Sequence, residues 1–116
     1  MNIQIFGKSK CFDTKKAERW FKERRIKFQS VDILRFGLSP REYESVKAAA
    51  GGMRALIDDK CRAYEELYIA HLAREADIEE KLLEYPELFK TPIVRNGRKA
   101  TVGYRPDVWE QWAKER

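Results

Sequence analysis

The feature that most constrains the fold is a change of hydrophobic period near the start of the chain. Ile3, Ile5 and Phe6 in "NIQIFG" read as a short buried strand, which Gly7 ends before a polar turn. From Asp13 to Arg25 the pattern becomes helical: Ala17, Trp20, Phe21 and Arg24 recur at three- and four-residue spacing, and Asp13 or Thr14 is placed to cap the first turn. The period then reverts, and Phe28, Val31 and Ile33 in "KFQSVDI" give a second strand. Strand, helix and strand of these lengths form a right-handed parallel crossover.

Three further segments complete the order. In "LSPREYESVKAAAGG", Ser39 is an N-cap, Pro40 takes the first helical position and Gly51-Gly52 stops the helix. From Met53 to Phe89 the chain is helical in tone, and Asp77 followed by Glu80 looks like a capping sequence. "TPIVRNGRKATVG" then supplies two β-rich runs around the hairpin signal Asn96-Gly97, and "RPDVWEQWAKER" is a last helix with Pro106 at its start and Val108, Trp109 and Trp112 on one face. The order β-α-β, helical block, β-β, α predicts an α/β, thioredoxin-like fold. We expect one domain over residues 1–116, with a mixed four-stranded sheet and a helical insert at about residues 39–90, between strands 2 and 3.

Composition narrows the function classes. Lys plus Arg outnumber Asp plus Glu by 24 to 19, a net charge of +5, but the signs interleave, as in "ERWFKERR" and "READIEEK". That is a solvated surface, and no direct nucleic-acid partner is expected. No apolar run reaches the roughly 18 to 20 residues of a membrane span, and "MNIQ" lacks the regions of a signal peptide, so a soluble, cytoplasmic protein without a membrane partner is expected. Two cysteines fifty positions apart and a single histidine do not match zinc-ligand spacing, so neither a metal nor a bound cofactor is expected. A reducing compartment favours free thiols over a Cys11–Cys61 disulfide.

Cys11 is the candidate nucleophile. It stands in "KSKCFDTKK", between a strand end and a helix start, where unpaired N–H groups and the helix dipole favour thiolate. Lys8, Lys10, Lys15 and Lys16 add positive charge, whereas the Asp13 carboxylate opposes ionisation. The alternative reading, a small buried apolar residue, fits these polar neighbours less well. Thr14 occupies the place where a dithiol motif would carry its second cysteine, so no local disulfide switch forms. Thr91-Pro92 precedes the strand expected beside the first one, and a cis bond there would turn the Thr91 backbone toward the Cys11 loop, although trans is the default for X-Pro. Of Arg54, Arg95, Arg98 and Arg105, candidates for holding an oxyanion, Arg105 stands out because it precedes the last helix. His71 and Cys61 read as structural residues, as do the aromatic residues Tyr43, Tyr64, Tyr68, Trp109 and Trp112.

Together "IFGKSKCFDTKKAERWFKERRIKFQSVDI", "LSPREYESV", "RALI" with "YEEL", "YPELFKTPIV" and "VGYRPDVW" resemble the arsenate reductase (ArsC-like) family, including its Spx branch, over nearly the whole chain. The resemblance implies that Pro92 is cis and that Cys11 is the nucleophile. It places Lys10, Thr14, Thr91, Pro92 and Arg105 around the substrate. In the reductases three arginines hold the oxyanion. Arg105 resembles the third, but the other two positions hold Asp58 and Thr91, so efficient arsenate reduction is not expected. The reading is a monothiol oxidoreductase acting on a disulfide, glutathione mixed disulfide or oxyanion. Glutathione is its co-substrate, or a glutaredoxin- or thioredoxin-type protein its reductant. The alternative is an Spx-like regulator that binds the RNA polymerase alpha subunit, and arsenate reduction comes third.

Overall fold

A computed structural model describes residues 1–115; Arg116, the last residue of the expected domain, lies outside the described residues. The sheet is built on strand β1 (Ile3–Gly7), which pairs in parallel with β2 (Phe28–Asp32) and antiparallel with β3 (Ile93–Asn96). Strand β4 (Lys99–Val102) closes the order β2-β1-β3-β4. Between β3 and β4, Gly97 takes a positive φ of 62°, at the first central position of a two-residue turn that favours glycine.

Successive side chains of a strand face opposite sides, and β1 shows the consequence. Ile3 and Ile5, with Val94 of β3, face helices α1 (Phe12–Glu23) and α6 (Pro106–Glu115), and pack on Ala17, Trp20, Phe21, Trp109 and Trp112. Phe6 and Ile93 face the other way, into a core closed by the helical insert. On the first face the buried Trp109 indole donates to the Thr101 hydroxyl at 2.8 Å, so its polar atom is satisfied.

The insert opens with α2 (Ile33–Phe36) and α3 (Pro40–Ala50). Helix α3 begins as the sequence predicts: Ser39 Oγ accepts from the Glu42 N–H at 3.1 Å and Glu42 Oε1 accepts from the Ser39 N–H at 2.9 Å. Beyond it the stretch that reads as helical in tone is a series of short pieces: 3₁₀ turns at Met53–Leu56, Ile69–His71 and Pro86–Leu88, with α4 (Arg62–Glu66) and α5 (Glu75–Glu84) among them. The 3₁₀ turns and α5 send one or two apolar side chains each into the core, as Leu56, Ile69, Ile78, Leu82 and Leu88 do, while α4 packs the partly buried Ala63 and Tyr64 against it. Tyr43 and Lys47 of α3 both donate to one Glu79 oxygen of α5, at 2.5 and 2.8 Å, and this joins the two helices.

Two local expectations are corrected. Ile33 belongs to α2, because β2 loses its partner where β1 ends at Gly7, opposite Asp32, and the Asp32 carboxylate then accepts from the Leu34 N–H at 3.1 Å. Helix α5 starts after Arg74, not at Asp77; Asp77 lies in its first turn and receives the Arg74 guanidinium through two hydrogen bonds, at 3.0 and 3.2 Å. Among the described residues no helix is long and apolar enough to cross a membrane.

Gly7 is where strand and helix come closest. A Cβ there would lie 2.2 Å from Thr14 Cγ2 and 2.7 Å from Thr14 Oγ1. Gly7→Ala therefore pushes α1 off the sheet, and we expect a loss of about 1–3 kcal/mol in urea unfolding. Adding Thr14→Ala to Gly7→Ala should restore part of that loss; an unchanged or deepened loss contradicts the contact.

Candidate active site

Strand β1 ends at Gly7, and four residues later Cys11 is the N-cap of α1, a place the sequence pattern assigns to Asp13 or Thr14. The Cys11 carbonyl accepts from the Lys15 N–H at 3.3 Å, as the carbonyl of an N-cap residue does. Burial is the largest influence on the sulfur and pushes its pKa up. The Thr14 and Thr91 side chains and the N–H groups of Thr14 and Asp13 act against it and prevail, so the thiol titrates below its ordinary value. Asp13 thus contributes to the sulfur through its backbone N–H. Sγ also lies 3.6 Å from the Thr91 carbonyl oxygen, to which the protonated thiol donates; that contact serves the neutral form.

Thr91 reaches Cys11 because β3 pairs with β1 from Ile93 and Phe6 onward, and the Thr91-Pro92 peptide bond ahead of that pairing is cis. The segment before it is anchored twice. On one side, the Lys90 N–H donates to the Leu56 carbonyl and the Asp58 N–H to the Leu88 carbonyl, both at 2.8 Å, which brings Asp58 to the site. On the other, Lys8 donates its ammonium to the carbonyls of Glu87 and Phe89, at 2.9 and 2.8 Å. Lys8 is therefore a clip between the two loops as well as a charge, a role with no local sequence signal because its partners lie about eighty residues away.

A cavity of about 400 Å³ opens on the sulfur, lined by Lys8, Ser9, Lys10, Cys11, Leu34, Asp58 and Thr91. It unites Lys10, Cys11 and Thr91 of the sequence-derived set, with Thr14 behind the sulfur and Pro92 next to Thr91. Arg105 is not among the lining residues: its guanidinium is held by Asp107 through two hydrogen bonds of 3.2 Å. Of the other arginine candidates, Arg54 pairs with Glu75 and Arg95 with Gln4 and Ser45, while Arg98 is exposed in the β3–β4 turn and lines no part of the cavity. Lys16 sits over the Tyr104 ring, 5.6 Å from its centroid. Leu34 was not legible as a site residue, since "KFQSVDI" reads as a strand running past the turn that carries it. Both cysteines are free thiols, and no cluster suited to a metal ion occurs among the described residues. Chemically, the arrangement offers one thiol whose ionisation is favoured, with no second thiol in its own loop.

A model of the ArsC family matches residues 6–112. Global transcriptional regulator Spx 2 of Oceanobacillus iheyensis is 29% identical, over 97% of this chain and 93% of its own. An uncharacterised protein of Bacillus subtilis is 24% identical, over 97% of this chain and all of its own. Among solved structures, an arsenate reductase from Vibrio cholerae superposes with a TM-score of 0.83 at 22% identity, over 96% of this chain and 97% of that one. An ArsC family related protein from Bacteroides fragilis gives the same TM-score and identity. The structural likeness speaks to the fold. The family model runs from β1 into α6, and the chain belongs to the ArsC family.

Proposed function

We propose that the protein is a monothiol oxidoreductase with Cys11 as its nucleophile and glutathione as co-substrate. The observation that carries this reading is the placement of Cys11 at the N-cap of α1, where N–H groups and two threonine side chains favour its thiolate. The thiolate attacks one sulfur of a disulfide; a Cys11–sulfur bond forms, the substrate bond breaks, and the other sulfur leaves as a thiolate that takes a proton from water. Glutathione thiolate then attacks the substrate sulfur of the mixed disulfide; Cys11 leaves as thiolate and the substrate half ends bonded to the glutathione sulfur, as oxidised glutathione where that half is itself glutathione. Thr91 and Lys10 line the groove, and Pro92, next to Thr91 in sequence, is buried. A glutaredoxin- or thioredoxin-type protein could serve as reductant by the same exchange.

A second reading is a regulator that docks on the RNA polymerase alpha subunit. It is favoured by the curated relatives of the chain that are named as global transcriptional regulators. Retention of the protein by the immobilised alpha C-terminal domain supports it and a clean negative removes it. Arsenate reduction is the weaker third reading, since Asp58 puts an anion in the cavity while Arg105 is engaged by Asp107.

The first reading is tested with hydroxyethyl disulfide and glutathione. Turnover is expected in the wild-type protein and in Cys61→Ser and lost in Cys11→Ser; equal turnover in Cys11→Ser would sink it. Because Thr14 lowers the pKa of the sulfur, Thr14→Ala should move the rising limb of the pH–rate profile to higher pH.

Lys8→Met tests the clip. Releasing the segment before Thr91 should slow the reaction several-fold at neutral pH, and by the same factor at low and high salt. A loss that disappears at high salt would mean that Lys8 acts through its charge alone.

A further inference from the structure

The charges that line the Cys11 cavity are of both signs. Asp58 and Lys10 face the same space of about 400 Å³, and neither makes an ion pair among the described residues, so they do not neutralise one another across it. The Asp58 carboxylate is oriented through Oδ1, which accepts from the Lys60 N–H at 3.0 Å. The Lys8 ammonium is occupied by the Glu87 and Phe89 carbonyls, which leaves Lys10 as the lining cation free of a hydrogen-bond partner among the described residues. Leu34, about half exposed at 49%, adds an apolar wall, and the Thr91 carbonyl an acceptor near the sulfur.

Such a lining suits neither a simple oxyanion, which Asp58 repels, nor a simple cation, which Lys10 repels. An ammonium placed by Asp58 and a carboxylate placed by Lys10 match it together, with an aliphatic stem against Leu34. We propose that the substrate of Cys11 is a low-molecular-weight disulfide of amino-acid type, carrying a free ammonium and a free carboxylate on the half that enters the cavity. This rests on the monothiol reading and adds the charge pattern of the substrate to it. The exchange is the one written above: the entering half becomes bonded to Cys11 through sulfur, the other half leaves as a thiol, and a second thiol of the same class releases the first.

The test is a series of disulfides that differ in charge: cystamine with ammonium groups, dithiodiglycolate with carboxylates, glutathione disulfide with both, and neutral hydroxyethyl disulfide. Each rate of mixed-disulfide formation at Cys11, in the Cys61→Ser protein, is divided by the rate of the same probe with mercaptoethanol. The expected order puts glutathione disulfide ahead of the neutral probe by on the order of tenfold, which two half-exposed ion pairs together can supply. Asp58→Asn should cut the advantage of cystamine and glutathione disulfide by about threefold relative to the neutral probe, and Lys10→Met that of dithiodiglycolate and glutathione disulfide. Expressing each result relative to the neutral probe cancels any change in the thiol itself. Four equal normalised rates, or substitutions that move all four probes alike, overturn the proposal while leaving the monothiol reading in place. No reaction with any probe, the neutral one included, overturns both.

Discussion

Strand β1 has two partners, and the site depends on where both pairings end. Its parallel partner is released at Asp32, opposite Gly7, and its antiparallel partner at Ile93, opposite Phe6. Just past this edge the chain turns into α1 on one side and arrives through Thr91 and Pro92 on the other. Cys11 stands between them, at once the N-cap of the helix and 3.6 Å from the Thr91 carbonyl. The near-contact of Gly7 with Thr14 sets how far the helix start stands from the sheet, which makes a glycine at a strand end part of the thiol's surroundings.

The ionisation of Cys11 is favoured by groups that the fold places beside it. The N–H groups of Asp13 and Thr14 and the side chains of Thr14 and Thr91 outweigh the desolvation of the sulfur. The lysines act less as a cloud of charge than their number suggests, since Lys8 clips two loops and Lys16 covers Tyr104. Where the family resemblance leads one to expect an arginine, Asp58 lines the cavity, and together with Lys10 it changes what the cavity can recognise.

The parts of the fold that were legible in the sequence are those with local causes. The β-α-β start, the Ser39 N-cap with Pro40, and the hairpin at Gly97 all arise from neighbours within a few residues. Ile33 misled because an apolar residue after Val31 continues a strand pattern, while the event that ends the strand is the loss of a partner elsewhere. The capping role assigned to Asp77 failed because Arg74 competes for its carboxylate. At the site, Cys11 and Thr91 could be located by the strand-to-helix switch and the Thr-Pro step, whereas the Lys8 clip and the wall formed by Leu34 depend on chain segments far apart in sequence.

The central claim is that the place of Cys11 at the start of α1 lowers the pKa of its thiol and so favours the thiolate. The most direct measurement is the rate of iodoacetamide alkylation of the Cys61→Ser protein as a function of pH, followed by mass. The account predicts a single titration with a midpoint below the ordinary thiol value of about 8.5. A midpoint at or above that value would contradict it.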